Sequence, residues 1–130
     1  MRVLVLDDDE SRHRRFALNL IGHEVAHVYS YDELAEAVEE ADEKFEVMYL
    51  DHDLCEDHYR GASSEDCGVE DGRDAARHIA RLPPERRPNL VFVHSMNHSG
   101  AKEMVSILVE AGIFATRRIF HGSSGTEISY

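Results

Sequence analysis

Five short apolar runs alternate with four amphipathic segments along this 130-residue chain. Arg2–Leu6 is rich in Val and Leu, reads as a strand buried on both faces, and ends in Asp7-Asp8-Asp9. Glu24–Val28 is a second strand. Phe45–Leu50 is a third, ending in Asp51-His52-Asp53, and Leu90–Val93 is a fourth, ending in His94-Ser95. Ala115–Phe120 is the fifth. Between them, Ser11–Leu20 reads as a helix with Gly22 as its stop. Ser30 and Glu33 fit a capping box opening a second helix, with Leu34, Ala35, Ala37 and Val38 facing inward. Asp74–Leu82 is a third helix, stopped by Pro83-Pro84, and Ser99 caps a fourth that runs to Glu110 before Gly112. A strict β-α alternation predicts an α/β fold: one domain over 1–130, with a doubly wound parallel sheet covered by helices on both faces.

In such sheets, ligands lie beyond the carboxyl ends of the strands. Those ends carry the most reactive side chains of this chain. Asp7, Asp8, Asp51 and Asp53 are expected to converge there. Clustered carboxylates raise one another's pKa, and a hard divalent cation, Mg²⁺ or Mn²⁺, would relieve that. The plain alternative is that Asp7–Asp9 cap the first helix. His52 and His94 close neighbouring strands, where imidazole can ligate a metal or move a proton at neutral pH. His13, His23, His27 and His78 fall on helices or the second strand and read as structural; His58 and His98 fall in predicted loops. The segment from Ser95 to Ala101 enters a helix start, so Ser95, Asn97, Ser99 and Gly100 are candidate phosphate ligands.

Residues 55–71 form a loop with Glu56, Asp57, Glu65, Asp66, Glu70 and Asp71 against Arg60 alone. It reads as solvated surface, with a lid carrying Arg60 and His58 as the alternative. The chain holds 26 acidic and 14 basic residues, net −12, which excludes a general electrostatic grip on nucleic acid. No apolar run is long enough for a membrane span, and the two cysteines, Cys55 and Cys67, do not form a disulfide framework or a zinc knuckle. The first residues turn acidic at once and do not read as a signal peptide, so a cytoplasmic protein is expected.

From Val3-Leu4-Val5-Leu6-Asp7-Asp8-Asp9, the strand-end Asp51 and the βαβ rhythm, the chain to about Phe120 resembles a response-regulator receiver domain. The resemblance implies a flavodoxin-like sheet in the order 2-1-3-4-5. It also implies Mg²⁺ held by Asp7 and Asp8, a phosphoryl group accepted by Asp51, and a metal contact from the Asp53 carbonyl. Two positions depart from that pattern. His94 stands where receivers carry Thr or Ser, and the fifth strand ends in Arg117-Arg118-Ile119-Phe120 without the usual Lys. The chain also ends too early for a full fifth helix, and the apolar surface so exposed near the fourth helix and fifth strand predicts a homodimer. The pair Leu50-Asp51-His52-Asp53-Leu54 and His94-Ser95-Met96-Asn97-His98-Ser99-Gly100-Ala101 is more similar to the cyclic-phosphate-processing receiver-like family, found in phage and bacterial genomes. That resemblance implies a hydrolase acting on a cyclic-phosphate nucleotide or RNA end.

Three functions follow as expectations. The first is a divalent-metal-dependent phosphoesterase with His52, His94 and Asp51 as catalytic residues and Asp7, Asp8, Asp51 and Asp53 as metal ligands. The second is a phosphoacceptor domain using Asp51. The third is a silent module that binds a nucleotide or a protein. The role of the tail from Gly122 to Tyr130 stays open.

Overall fold

The computed structural model describes residues 1–52, 54, 71–95 and 97–118. Asp53, the 55–70 part of the acidic loop with both cysteines, Met96 and the tail from 119 lie outside the described residues. The elements are β1 (Arg2–Leu6), α1 (Glu10–Asn19), β2 (Glu24–Val28), α2 (Tyr31–Glu40), β3 (Val47–Leu50), α3 (Gly72–Ala80), a 3₁₀ turn (Pro84–Arg86), β4 (Leu90–Val93), α4 (His98–Glu110) and β5 (Ala115–Arg117). The five strands form one all-parallel sheet in the order β2-β1-β3-β4-β5, as expected.

Several boundaries move from their expected places because caps, not apolar patterns, decide them. The Asp9 carboxylate accepts from the backbone N–H of Ser11 and Arg12, so α1 starts at Glu10 rather than Ser11. Asp9 alone of the acidic run does this capping. Asp71 caps α3 in a reciprocal box with Asp74, so the helix starts at Gly72, two residues early, and ends at Ala80. Ser30 caps α2, but the Glu33 side chain reaches back to the N–H of Tyr29, one residue before the cap. Asn97, not Ser99, caps α4: its Oδ1 accepts the Gly100 N–H at 2.9 Å.

Alternate side chains along each strand face opposite sides of the sheet. Leu4, Leu6, Met48, Leu50, Val91 and Val93 pack against α2, α3 and α4 through Leu34, Val38, Ala75, Ile79, Met104 and Leu108. Val3, Val5, Val47, Tyr49 and Phe92 pack on the other side against Phe16 and Leu20 of α1. Among the described residues α1 is the one helix on that side, and the Arg118 guanidinium lies over the Phe92 ring, 5.6 Å from its centroid. Val109 and Phe114, beside β5, are 53% and 79% exposed. No helix among the described residues is long and apolar enough to cross a membrane.

Candidate functional site

The two-residue period of the strands continues past their ends and sorts the candidate residues onto two sides. Asp7, Asp51 and His94 follow Val5, Tyr49 and Phe92 on the α1 side. One donor atom from each lies within 4.8 Å of the others, and all three are buried. His94 also lies against Phe16 of α1, with ring centroids 5.2 Å apart. His52 goes to the other side, among α3 and α4. The sequence reading treats Asp51-His52 as one cluster; the structure divides it.

Asp7 is the centre of the first group. Its Oδ1 accepts the Asp9 N–H at 2.8 Å and Nη2 of Arg12 at 2.9 Å. Its Oδ2 accepts Nε of Arg12 at 2.7 Å and lies 2.8 Å from Nε2 of His94. Burial pushes the Asp7 carboxyl up, but the hydrogen bonds from His94 and Arg12 outweigh it and hold the group well below the usual carboxylate range. Nε2 is thus the His94 nitrogen turned toward the carboxylates; Nδ1 is buried without a hydrogen-bond partner among the described residues. Behind the group, Nε2 of buried His13 lies 2.7 Å from the Asp7 carbonyl oxygen, which can only accept, so Nε2 donates. The other nitrogen of His13 faces Nδ1 of His27 at 2.8 Å. His13 therefore supports the strand end from below, in keeping with its structural reading.

Arg12 also brings positive charge to the clustered carboxylates. Its guanidinium, besides gripping Asp7, lies 3.5 Å from Asp51, 3.8 Å from Asp8 and 3.6 Å from Asp9. Asp8 stays outside the three-residue group and is partly exposed. Arg12 was not among the residues expected at the site. The signal was there: a cap at Asp9 makes Arg12 the third helical residue, where a long side chain reaches back over the end of β1.

On the other side, His52 is buried, with Nε2 3.5 Å from the Asp71 carboxylate and Nδ1 3.4 Å from Nδ2 of Asn97. Burial works against ionised Asp71, but hydrogen bonds from Arg73 and the neighbouring His52 leave its carboxyl below the ordinary value. Two glycines permit this packing. A Cβ on Gly100 would meet the His52 ring at 2.4 Å, and one on Gly72 would meet the Asp51 carbonyl oxygen at 2.3 Å. Asp71, expected in the acidic loop, is thus both the α3 cap and a carboxylate 3.5 Å from His52.

Of the proposed phosphate ligands, Ser95 is buried and its Oγ accepts the Asn97 N–H at 3.0 Å. In the cap, Asn97 Oδ1 accepts the Gly100 N–H. Ser99 is exposed in the first turn of α4. Arg117, at the end of β5, donates to the Ser95 carbonyl oxygen at 3.1 and 3.2 Å and lies 2.9 Å from Nδ1 of His98. The fifth strand therefore does deliver a cation to this end of the sheet, as an arginine.

The sequence model of the cyclic-phosphate processing receiver domain matches residues 2–110. The chain belongs to that family. Among solved structures, the chain is similar to a CheY-like response-regulator receiver domain protein from Methanospirillum hungatei JF-1, with a TM-score of 0.61 at 17% identity, covering 94% of this chain and 84% of that one. It is similar to the receiver domain of NtrX from Brucella abortus, with a TM-score of 0.61 at 20% identity over 93% and 88% of the two chains. A third is a response regulator from Burkholderia pseudomallei with a phosphorylated aspartic acid, calcium ion and citrate; there the TM-score is 0.59 at 21% identity, over 94% of this chain and 62% of that one. At these identities the likeness is one of fold. No curated protein matches the sequence significantly.

Proposed function

We propose that this cyclic-phosphate processing receiver domain is a divalent-cation-dependent phosphoesterase that opens a cyclic phosphate on a nucleotide or RNA end. The observation that carries the reading is the buried group of Asp7, Asp51 and His94, with its donor atoms within 4.8 Å. Two carboxylates and an imidazole suit a cation that accepts both oxygen and nitrogen, which favours Mn²⁺ over Mg²⁺. Those three residues would hold it, with Asp8 beside them. When bound, such a cation polarises a phosphoryl oxygen and makes a water more acidic. The metal role expected of Asp53 belongs to this proposal too, although Asp53 lies outside the described residues.

In this reading a water oxygen bonds to phosphorus and its proton passes to the Asp51 carboxylate. The ring P–O bond breaks and the departing oxygen takes a proton from solvent water, while His52, on the other side of the sheet, positions the start of α4 through Asn97. The products are a phosphomonoester and a free hydroxyl. Ser95, Asn97 and Ser99, near the start of α4, would hold the remaining phosphoryl oxygens, while Gly100 leaves room for the His52 ring. Arg117 braces this loop through the Ser95 carbonyl.

The test is incubation with 2′,3′-cyclic nucleotides and cyclic oligonucleotides in Mn²⁺, Mg²⁺ or EDTA, with products read by mass spectrometry. Metal-dependent ring opening, lost in His94→Ala and Asp51→Asn variants that retain the wild-type circular dichroism spectrum, is the expected result. No turnover under any condition overturns the proposal. The buried strand-end position of Asp51, and the phosphorylated aspartic acid of the Burkholderia relative, favour a phosphoacceptor role as the second reading. A labile acyl phosphate on Asp51 after treatment with acetyl phosphate and Mg²⁺ would establish it. The exposed Val109 and Phe114 support the expected homodimer, which a monomer mass by light scattering at micromolar concentration would remove.

A further inference from the structure

The acidic pocket already contains a cation of the protein's own. Arg12 donates one hydrogen bond to each oxygen of Asp7 and lies 3.5 Å from Asp51. A divalent ion held by Asp7, Asp51 and His94 would need lone pairs that the guanidinium now uses. It would also repel the guanidinium at close range, because like charges a few ångströms apart in a partly buried site interact strongly. One of the two must yield. The Asp7 side chain is fully buried and is also held by the Asp9 N–H and by His94. The Arg12 side chain is 26% exposed and hangs from the first turn of a surface helix. The guanidinium, not the carboxylate, has a way out.

We infer that Arg12 is a displaceable counter-cation: it holds the carboxylates of Asp7 and Asp51 until a divalent ion takes them, and so sets the metal affinity of the pocket. The inference rests on the metal-site reading above. It explains how three buried titratable groups stay compensated without a metal. It also makes metal uptake an exchange of one positive group for another.

The test is Mn²⁺ titration by calorimetry, at fixed pH and ionic strength, of wild type, Arg12→Gln, Arg12→Lys and Arg14→Gln. Arg14 is on the same helix, pairs with Glu10 at the surface, and controls for the simple loss of one positive charge. Arg12→Gln is expected to bind Mn²⁺ at least about tenfold more tightly than wild type, and Arg14→Gln within about twofold of it. Arg12→Lys, which keeps the charge but loses the two-pronged grip, is expected to fall between. Should Arg12→Gln fail to fold without metal, Arg12→Lys carries the test, together with a larger rise in melting temperature on Mn²⁺ addition than wild type shows. Affinity in the Arg12 variants equal to or weaker than wild type overturns the inference, as does the absence of Mn²⁺ binding in every protein. Cyclic-phosphate turnover is scored in its own assay, so loss of the phosphoesterase reading leaves the exchange between Arg12 and the ion standing.

Discussion

Replacing Gly100 by Ala tests the packing that holds His52. The new Cβ would sit 2.4 to 2.6 Å from three atoms of the His52 ring, closer than carbon atoms can approach without movement. The ring cannot simply swing away, because it is buried and lies between Asp71 and Asn97. Overpacking of this kind costs about 1–3 kcal/mol. Ala offsets part of that, since it is favoured over Gly in a helix by up to about 1 kcal/mol. The net loss in Gly100→Ala is therefore about 0–3 kcal/mol, and its size depends on a single neighbour. In a His52→Ala background the clashing atoms are gone, and the same Gly100→Ala change should stabilise by up to about 1 kcal/mol. Urea denaturation of the four proteins of this cycle, read as midpoint and slope, gives the coupling directly. A cost for Gly100→Ala that is the same in both backgrounds refutes the reasoning.

Two further changes probe the strand ends. Gly72→Ala would drive a Cβ to 2.3 Å from the Asp51 carbonyl oxygen and 2.6 Å from the His52 Cα, both backbone atoms that cannot rotate aside. It should cost more than Gly100→Ala, about 3 kcal/mol or above, and a variant as stable as wild type in urea would contradict the geometry. Asp7→Asn leaves Arg12 and His94 without their carboxylate and should cost about 3–5 kcal/mol at neutral pH. Because Asp7 has a depressed carboxyl in the folded chain, its stabilisation is complete above the unfolded value of about 4 and is lost as pH falls below that toward the folded value. Wild type should therefore lose stability more steeply than Asp7→Asn on the acid side of about pH 4. Parallel acid limbs for the two proteins would show that Asp7 is not held as described.

Much of the architecture is readable from local signals. β1 and β4 begin and end where the apolar runs do, because a strand buried on both faces needs an unbroken run of side chains, and the partly buried edge strand β2 also keeps its expected bounds. Helix starts were less legible where two capping residues competed. Asn97 and Ser99 both suit a cap, and the choice fell to Asn97, whose Oδ1 reaches the Gly100 N–H. Phe45, expected in the third strand, is buried just ahead of it, which a hydrophobic pattern cannot distinguish from pairing. The receiver resemblance added the strand order, which no local pattern contains.

The site was legible as a location but not as a set of contacts. That Asp7, Asp51 and His94 all stand at carboxyl ends of strands follows from the runs that precede them, since those runs fix where each chain leaves the sheet. Which of them touch depends on strand order and register: the contact between His94 and Asp7 spans 87 residues, and it joins the ends of strands separated by β3. The same register turns His52 away from its neighbour Asp51, toward Asp71 and Gly100. Arg12 enters the pocket because Asp9 caps α1 and the helix then packs across the sheet. Local chemistry decided which side chains reach this end of the molecule; only the pairing of distant strands decided which of them became partners, because that pairing satisfies the whole sheet at once and leaves no trace in any one segment.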